Sequence, residues 1–186
     1  FSTAISTICT IPAMTAIKKR KQNRKNELSE KRAVESIRFQ THFGLKQIGR
    51  KDTDMFHWLA DAEINVIEEL DLTDDILDIK NLVEGVKREL NVEPALEKGD
   101  FYTSIVAIAL GISKIPVLDD MKMPVVNWLD QINKKILTLY YPEESRNAVA
   151  EWAKANDYNT STYLGRPVVK FKQLFIIIER TRTWTK

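Results

Sequence analysis

Two groups of side chains in this chain have the types and spacing to do chemistry, and they carry opposite charge. Between Lys18 and Lys51 there are 12 Lys and Arg against 3 Glu, an excess of +9 in a chain whose formal net charge is +2. Ammonium and guanidinium groups at this density bind polyanions, nucleic acid before an anionic membrane surface. On a helix, Lys18, Lys21, Lys25 and Arg32 share one stripe, and Arg24, Lys31 and Arg38 form a second beside it. Lys19, Arg20, Lys46, Arg50 and Lys51 complete the candidate nucleic-acid-binding set. Because Lys and Arg dominate it, the expected contacts are to phosphates, with little reading of base sequence.

Residues 52–100 reverse the sign, with 15 Asp and Glu against 4 Lys and Arg, a net of −11. His57 and Asp61 are four apart on one expected helix, and Glu68, Asp71, Asp74, Asp75 and Asp78 follow. Clustered carboxylates could hold Mg²⁺ for phosphodiester hydrolysis. Nothing fixes a ligand spacing, however, and acids on the outer faces of amphipathic helices are ordinarily solvated or turned toward a basic partner. The plainer reading is preferred, with no metal, no cofactor, and no general-base role for His42 or His57. Other routes to catalysis lack their residues. There is no G-x-S-x-G, Cys9 stands alone without a His close in sequence, and six dispersed glycines form neither a P-loop nor G-x-G-x-x-G. The chain is expected not to be an enzyme.

Positioning these groups calls for helices. A chain of 186 residues, 44% hydrophobic, has enough apolar mass for one core plus an arm, and six Gly and six Pro argue against a turn-rich β-sandwich. A single cysteine permits no intrachain disulfide framework. Residues 1–17 carry no charge, contain Pro12, and are short against the roughly 20 residues of a spanning helix. Ordering against a neighbouring copy or a ligand is preferred there over a membrane role.

Residues 18–25 have nothing to bury, whereas Val34, Ile37, Thr41, Leu45 and Ile48 recur at helical spacing. A helix over 18–43 would be roughly 39 Å long, more than one turn of duplex DNA. Gly44 is expected as its stop or hinge. Asp52 and Thr53 are expected to cap a helix with Met55, Phe56, Leu59, Val66, Ile67 and Leu70 inward. Thr73 is expected to cap another, on which Ile76, Ile79, Val83, Val86 and Leu90 form a clean stripe ended by Asn91 and Pro94. Further on, Asp100 is expected to cap a buried central helix. Val125, Trp128, Leu129, Ile132, Ile136 and Leu139 suggest a helix after Pro124, and Val149 and Trp152 a shorter one. Residues 156–166 read as a polar loop. Val168, Phe171, Phe175 and Ile178 fit a helix, although LFIIIE would serve as a strand, and helix is preferred. Trp58, Trp128 and Trp152 are expected in the core, and Trp184, in the basic tail, is expected to be packed down in preference to stacking on a base or a partner.

The fold class expected is therefore all-α, a bundle of about five to six helices. Its plan is an uncharged segment 1–17, a basic arm 18–51, and a body 52–186 whose tail turns basic from Arg180.

With its basic helical arm over 18–43 and a helical body of opposite sign over roughly 52–180, the layout resembles the major coat proteins of filamentous archaeal viruses. The resemblance implies N-terminal helices that wrap double-stranded DNA through its backbone, a helical bundle outside, and no catalysis. It also implies many copies, of this chain or of a paralogous subunit beside it, in the helical filament of a virion. Alternatives are a DNA- or RNA-binding regulator, for which no base-reading recognition helix is identifiable, and a viral RNA nucleoprotein. A metal-dependent nuclease acting through the acidic helices ranks below both.

Overall fold

The computed structural model describes residues 11–48, 53–96, 98–114 and 132–182, with the backbone alone for 11–17 and Thr53. The first element, α1 (Ile11–Ile48), is one uninterrupted helix of 38 residues, roughly 57 Å long at 1.5 Å per residue. Pro12 falls in its first turn, where a missing N–H removes no helical bond. Gly44 is neither stop nor hinge, because the helix runs through it. A Cβ there would lie 1.9 Å from the Ala109 carbonyl oxygen, so glycine is what lets a second backbone press against α1.

Next come α2 (Thr53–Glu69) and α3 (Thr73–Leu90), joined by a tight turn in which Asp71 has φ 54°. The α3 stripe is as the periodicity predicts, with Ile76, Ile79, Val83 and Val86 buried and Leu90 packed beside them. Asn91, at φ 54°, closes the helix through its N–H to the Lys87 carbonyl. Thr73 opens α3 without a capping hydrogen bond. On α2, Phe56 and Ile67 are buried, but Met55 is 52% and Trp58 68% exposed, contrary to the inward placement expected of both. Trp152 is half-buried, its ring against Gly85 and its Nε1–H donating to Glu89 at 2.7 Å. The capping role of Asp52, and Trp128 and Trp184, lie outside the described residues.

The expected all-α class is wrong. The C-terminal part folds as β1 (Ile136–Tyr141), α5 (Arg146–Ala155), β2 (Asn159–Tyr163), β3 (Arg166–Lys170) and β4 (Phe175–Arg180). The four strands form one mixed sheet in the order β1-β4-β3-β2, with β1 and β4 parallel and the other pairs antiparallel. Ile136 and Leu139, expected on a helix, instead belong to β1, where Leu137, Leu139 and Tyr141 are buried at alternate positions. Lys135 precedes them at φ 57°, a conformation that no α-helix continues through. The segment expected as a polar loop is β2 plus a two-residue hairpin turn, Leu164 and Gly165, both at positive φ. In β4, Ile176, Ile177 and Ile178 are all buried, as in a strand covered on both faces.

The central helix is also shorter than expected. Its place is taken by α4 (Ile105–Ala109), five residues capped by Ser104, whose hydroxyl accepts from the Ala107 N–H at 2.9 Å. Asp100, expected as that cap, accepts instead from the Thr138 N–H at 2.7 Å. Together with the Ala95 and Asp100 N–H groups, which donate to Tyr140 and Thr138, it lines the open edge of β1 with chain and so blunts it. One core joins Ile37 of α1, the inner faces of α2 and α3, Val149 and Ala153 of α5, and the buried strand residues. A smaller cluster of Leu45, Phe56, Ala60 and Ile105 sits where α1, α2 and α4 meet.

Candidate nucleic-acid interface

The two halves of α1 behave differently because only one of them has anything to bury. Ile37, Thr41 and Leu45 are buried against the body, while every residue from Lys18 to Arg32 is exposed. Eight cations lie in that exposed half: Lys18, Lys19, Arg20, Lys21, Arg24, Lys25, Lys31 and Arg32. None of the eight forms an ion pair among the described residues. At about 100° per residue, Lys18, Lys21, Lys25 and Arg32 point roughly 180° from the line through Val34, Ile37, Thr41 and Leu45 that meets the body. They form an outward stripe.

The second stripe, Arg24, Lys31 and Arg38, flanks the body side. There Arg38 is already engaged, donating to Asp61 at 2.7 Å and to Asn65 at 3.3 Å. Lys31 shares a cleft of about 220 Å³ with five carboxylates, Glu27 and Glu30 of α1, Glu68 of α2, Asp71 of the turn and Asp74 of α3. This side of the helix repels a polyanion while the outer side attracts one. Lys46 is exposed near the helix end. Arg50 and Lys51 lie outside the described residues.

Most of the residues weighed as a metal site are spent on structure. His42 and His57 stack with ring centroids 4.7 Å apart and their Nδ1 atoms in hydrogen-bond contact. Asp61 accepts from Arg38 and lies 3.0 Å from His42 Nε2, which locks α1 to α2. Asp71 and Asp74 both face Lys172, at 3.0 and 3.8 Å. Asp75, fully buried, accepts from the Gln173 and Leu174 N–H groups at 2.7 Å each and ties the β3–β4 turn to α3. Burial pushes its carboxyl above the ordinary range, against the pull of those N–H groups. Among the described residues, no group of three or more His, Cys, Asp or Glu could hold a metal ion.

Glu63 is singled out by no motif, yet among the described residues it is the most displaced carboxyl, pushed up by burial to about 7. It faces no cavity. Its oxygens accept from the Ser104 hydroxyl and, at 3.0 Å, from the Ile105 N–H, which makes it a second cap for the short α4. At the far end of the sheet, Arg180 and Arg182 lie beside Lys98, Arg146 and Arg166. No run in the sequence marks those last three, because four separate stretches of chain supply the cluster.

No helix among the described residues is long and apolar enough to cross a membrane. In comparisons with protein-family models, with curated proteins and with solved structures, the chain matches none.

Proposed function

We propose that this chain is a structural protein that coats nucleic acid, double-stranded DNA in the first instance, and assembles with copies of itself as a coat protein of a filamentous virion does. The observation that carries the reading is the outward stripe of α1. Lys18, Lys21, Lys25 and Arg32 are exposed, unpaired among the described residues and directed away from the body. Unpaired cations along a rigid helix, about one turn apart from Lys18 to Lys25 and about two turns from there to Arg32, suit a phosphate backbone, and they specify no base. Two further features favour copies packing together. Phe39 and Phe43 stack at 6.2 Å on α1 while 70% and 54% exposed, and Trp58 on α2 is 68% exposed, a density of bare aromatics that marks interaction surfaces. The acidic cleft beneath α1 complements the basic arm of a neighbour.

The test is binding of the full chain to duplex DNA across a salt series, followed by electron microscopy of the mixture. With about six phosphates neutralised, log K should fall against log salt with a slope near −5, and regular filaments should form with DNA. Weak binding with a flat salt response, or an absence of ordered assembly with and without DNA, would sink the proposal.

A further inference from the structure

The strand order brings cations from four stretches of the sequence to one end of the sheet. There β1 and β4, which run parallel, finish side by side at Tyr141 and Arg180. Antiparallel β3 begins at the same end with Arg166, and α5 begins with Arg146. A cavity of about 470 Å³ opens between them, lined by Lys98, Arg146, Arg166, Arg180 and Arg182, with Glu179 as its carboxylate.

Internal pairing does not neutralise these charges. Glu179 serves both Arg166, at 3.1 Å, and Arg146, at 3.9 Å, while Arg180 reaches out to Glu143 at 2.8 Å. Lys98 and Arg182 make no ion pair among the described residues. Arg146 Nε is shielded from solvent and has no hydrogen-bond acceptor. Two carboxylates therefore answer five cations, and a buried guanidinium N–H is left without a partner, a cost that an anion in the cavity would remove.

We infer that this cavity is a phosphate-binding pocket, separate from the α1 stripe and standing on its own residues. Guanidinium forks match the paired oxygens of a phosphate group, monoester or diester, better than they match a spherical anion. The carboxyl ends of parallel strands are also where open α/β sheets take their ligands. The phosphate comes either from a nucleic-acid backbone or from a free phosphate species, and the recognition chemistry is the same for both.

The experiment titrates the full-length chain with inorganic phosphate at constant ionic strength, chloride making up the difference, and then repeats it in the presence of a short DNA duplex. The comparison variant is Lys98→Gln with Arg182→Gln, chosen because neither side chain pairs with a carboxylate among the described residues. Wild type should bind phosphate, and the double variant should lose about tenfold in affinity with an unchanged melting temperature in chloride. If the double variant melts early, Arg182→Gln alone, at an exposed position, makes the same comparison. Competition by the duplex identifies the pocket as part of a nucleic-acid path, and phosphate binding that the duplex leaves untouched identifies a free phosphate species as ligand. Both outcomes support the pocket. Absence of phosphate binding, or affinity that survives the substitutions, overturns it. Neutralising Lys18, Lys21, Lys25 and Arg32 should leave phosphate affinity unaltered, so failure of the pocket and failure of the DNA-coating reading are told apart.

Discussion

Glu63 holds a carboxyl where water barely reaches, and its pH behaviour follows from that. Its carboxyl is raised from 4.5 to about 7 by burial, only partly opposed by the hydrogen bonds from Ser104 and Ile105. A raised folded-state value means that the native protein holds this proton more tightly than the unfolded chain does. The stabilisation is therefore complete below 4.5 and is lost as pH rises through about 7. Over that window the contribution is up to about 3 kcal/mol. Urea denaturation of wild type and Glu63→Gln across the window should show a stability difference that changes with pH in this direction. A constant difference would mean that Glu63 is ionised throughout. The site was legible only in part at this scale. Lys18 to Arg32 stand out as candidates by their types and Arg38 groups with them, yet its guanidinium belongs to Asp61, which is 23 positions away and invisible to local spacing.

At the scale of elements, α1 and α4 meet at one close backbone approach. A methyl group at residue 44 would meet the Ala109 carbonyl oxygen at 1.9 Å, and backbone cannot step aside as a side-chain tip can. Gly44→Ala should therefore push α4 off α1 and disturb the cluster of Leu45, Phe56, Ala60 and Ile105. The expected cost is about 1–3 kcal/mol, despite alanine's better helix propensity. Thermal melting checks the size. Faster hydrogen exchange at Ile105–Ala109 than in the sheet checks the place. An unchanged or raised melting temperature would show that the helices have room to separate.

The sheet is the element that sequence reasoning missed, for a physical reason. Ile132, Ile136 and Leu139 satisfy a helical period, while Leu137, Leu139 and Tyr141 satisfy a strand period, so the pattern alone does not choose. The β-branched and aromatic content of ILTLYY and FIIIER favours strands. What decides is pairing: Leu137 opposite Ile176 and Leu139 opposite Ile178, partners 39 positions apart.

For the whole molecule, the distribution of charge sets how it meets other molecules. The outward stripe and the body-side stripe of α1 should differ in effect, although both consist of Lys and Arg. Replacing Lys18, Lys21, Lys25 and Arg32 with Gln should lower the salt slope of DNA binding by about four units times 0.9 and weaken binding on every sequence alike. Replacing Arg38 alone should scarcely alter the slope and should cost stability instead, about 0–1 kcal/mol for a half-exposed ion pair. Anisotropy titrations at several salt concentrations, paired with melting curves, check both. Equal slopes for the two variants would remove the distinction between the stripes.

The sequence by itself determined where the charge is concentrated and which helices are amphipathic, since both depend on neighbours within a few positions. The basic run, the stripe of α3 and its end at Asn91 are of that kind. Tertiary structure alone decided which cations remain free, what the buried acids do, and that Ile136–Tyr141, Asn159–Tyr163, Arg166–Lys170 and Phe175–Arg180 form strands. Asp61, Glu63 and Asp75 read as solvated acids until Arg38, Ser104 and the β3–β4 turn are brought to them. The outward direction of Lys18, Lys21, Lys25 and Arg32 becomes meaningful only once Ile37, Thr41 and Leu45 have shown which side of α1 the body takes.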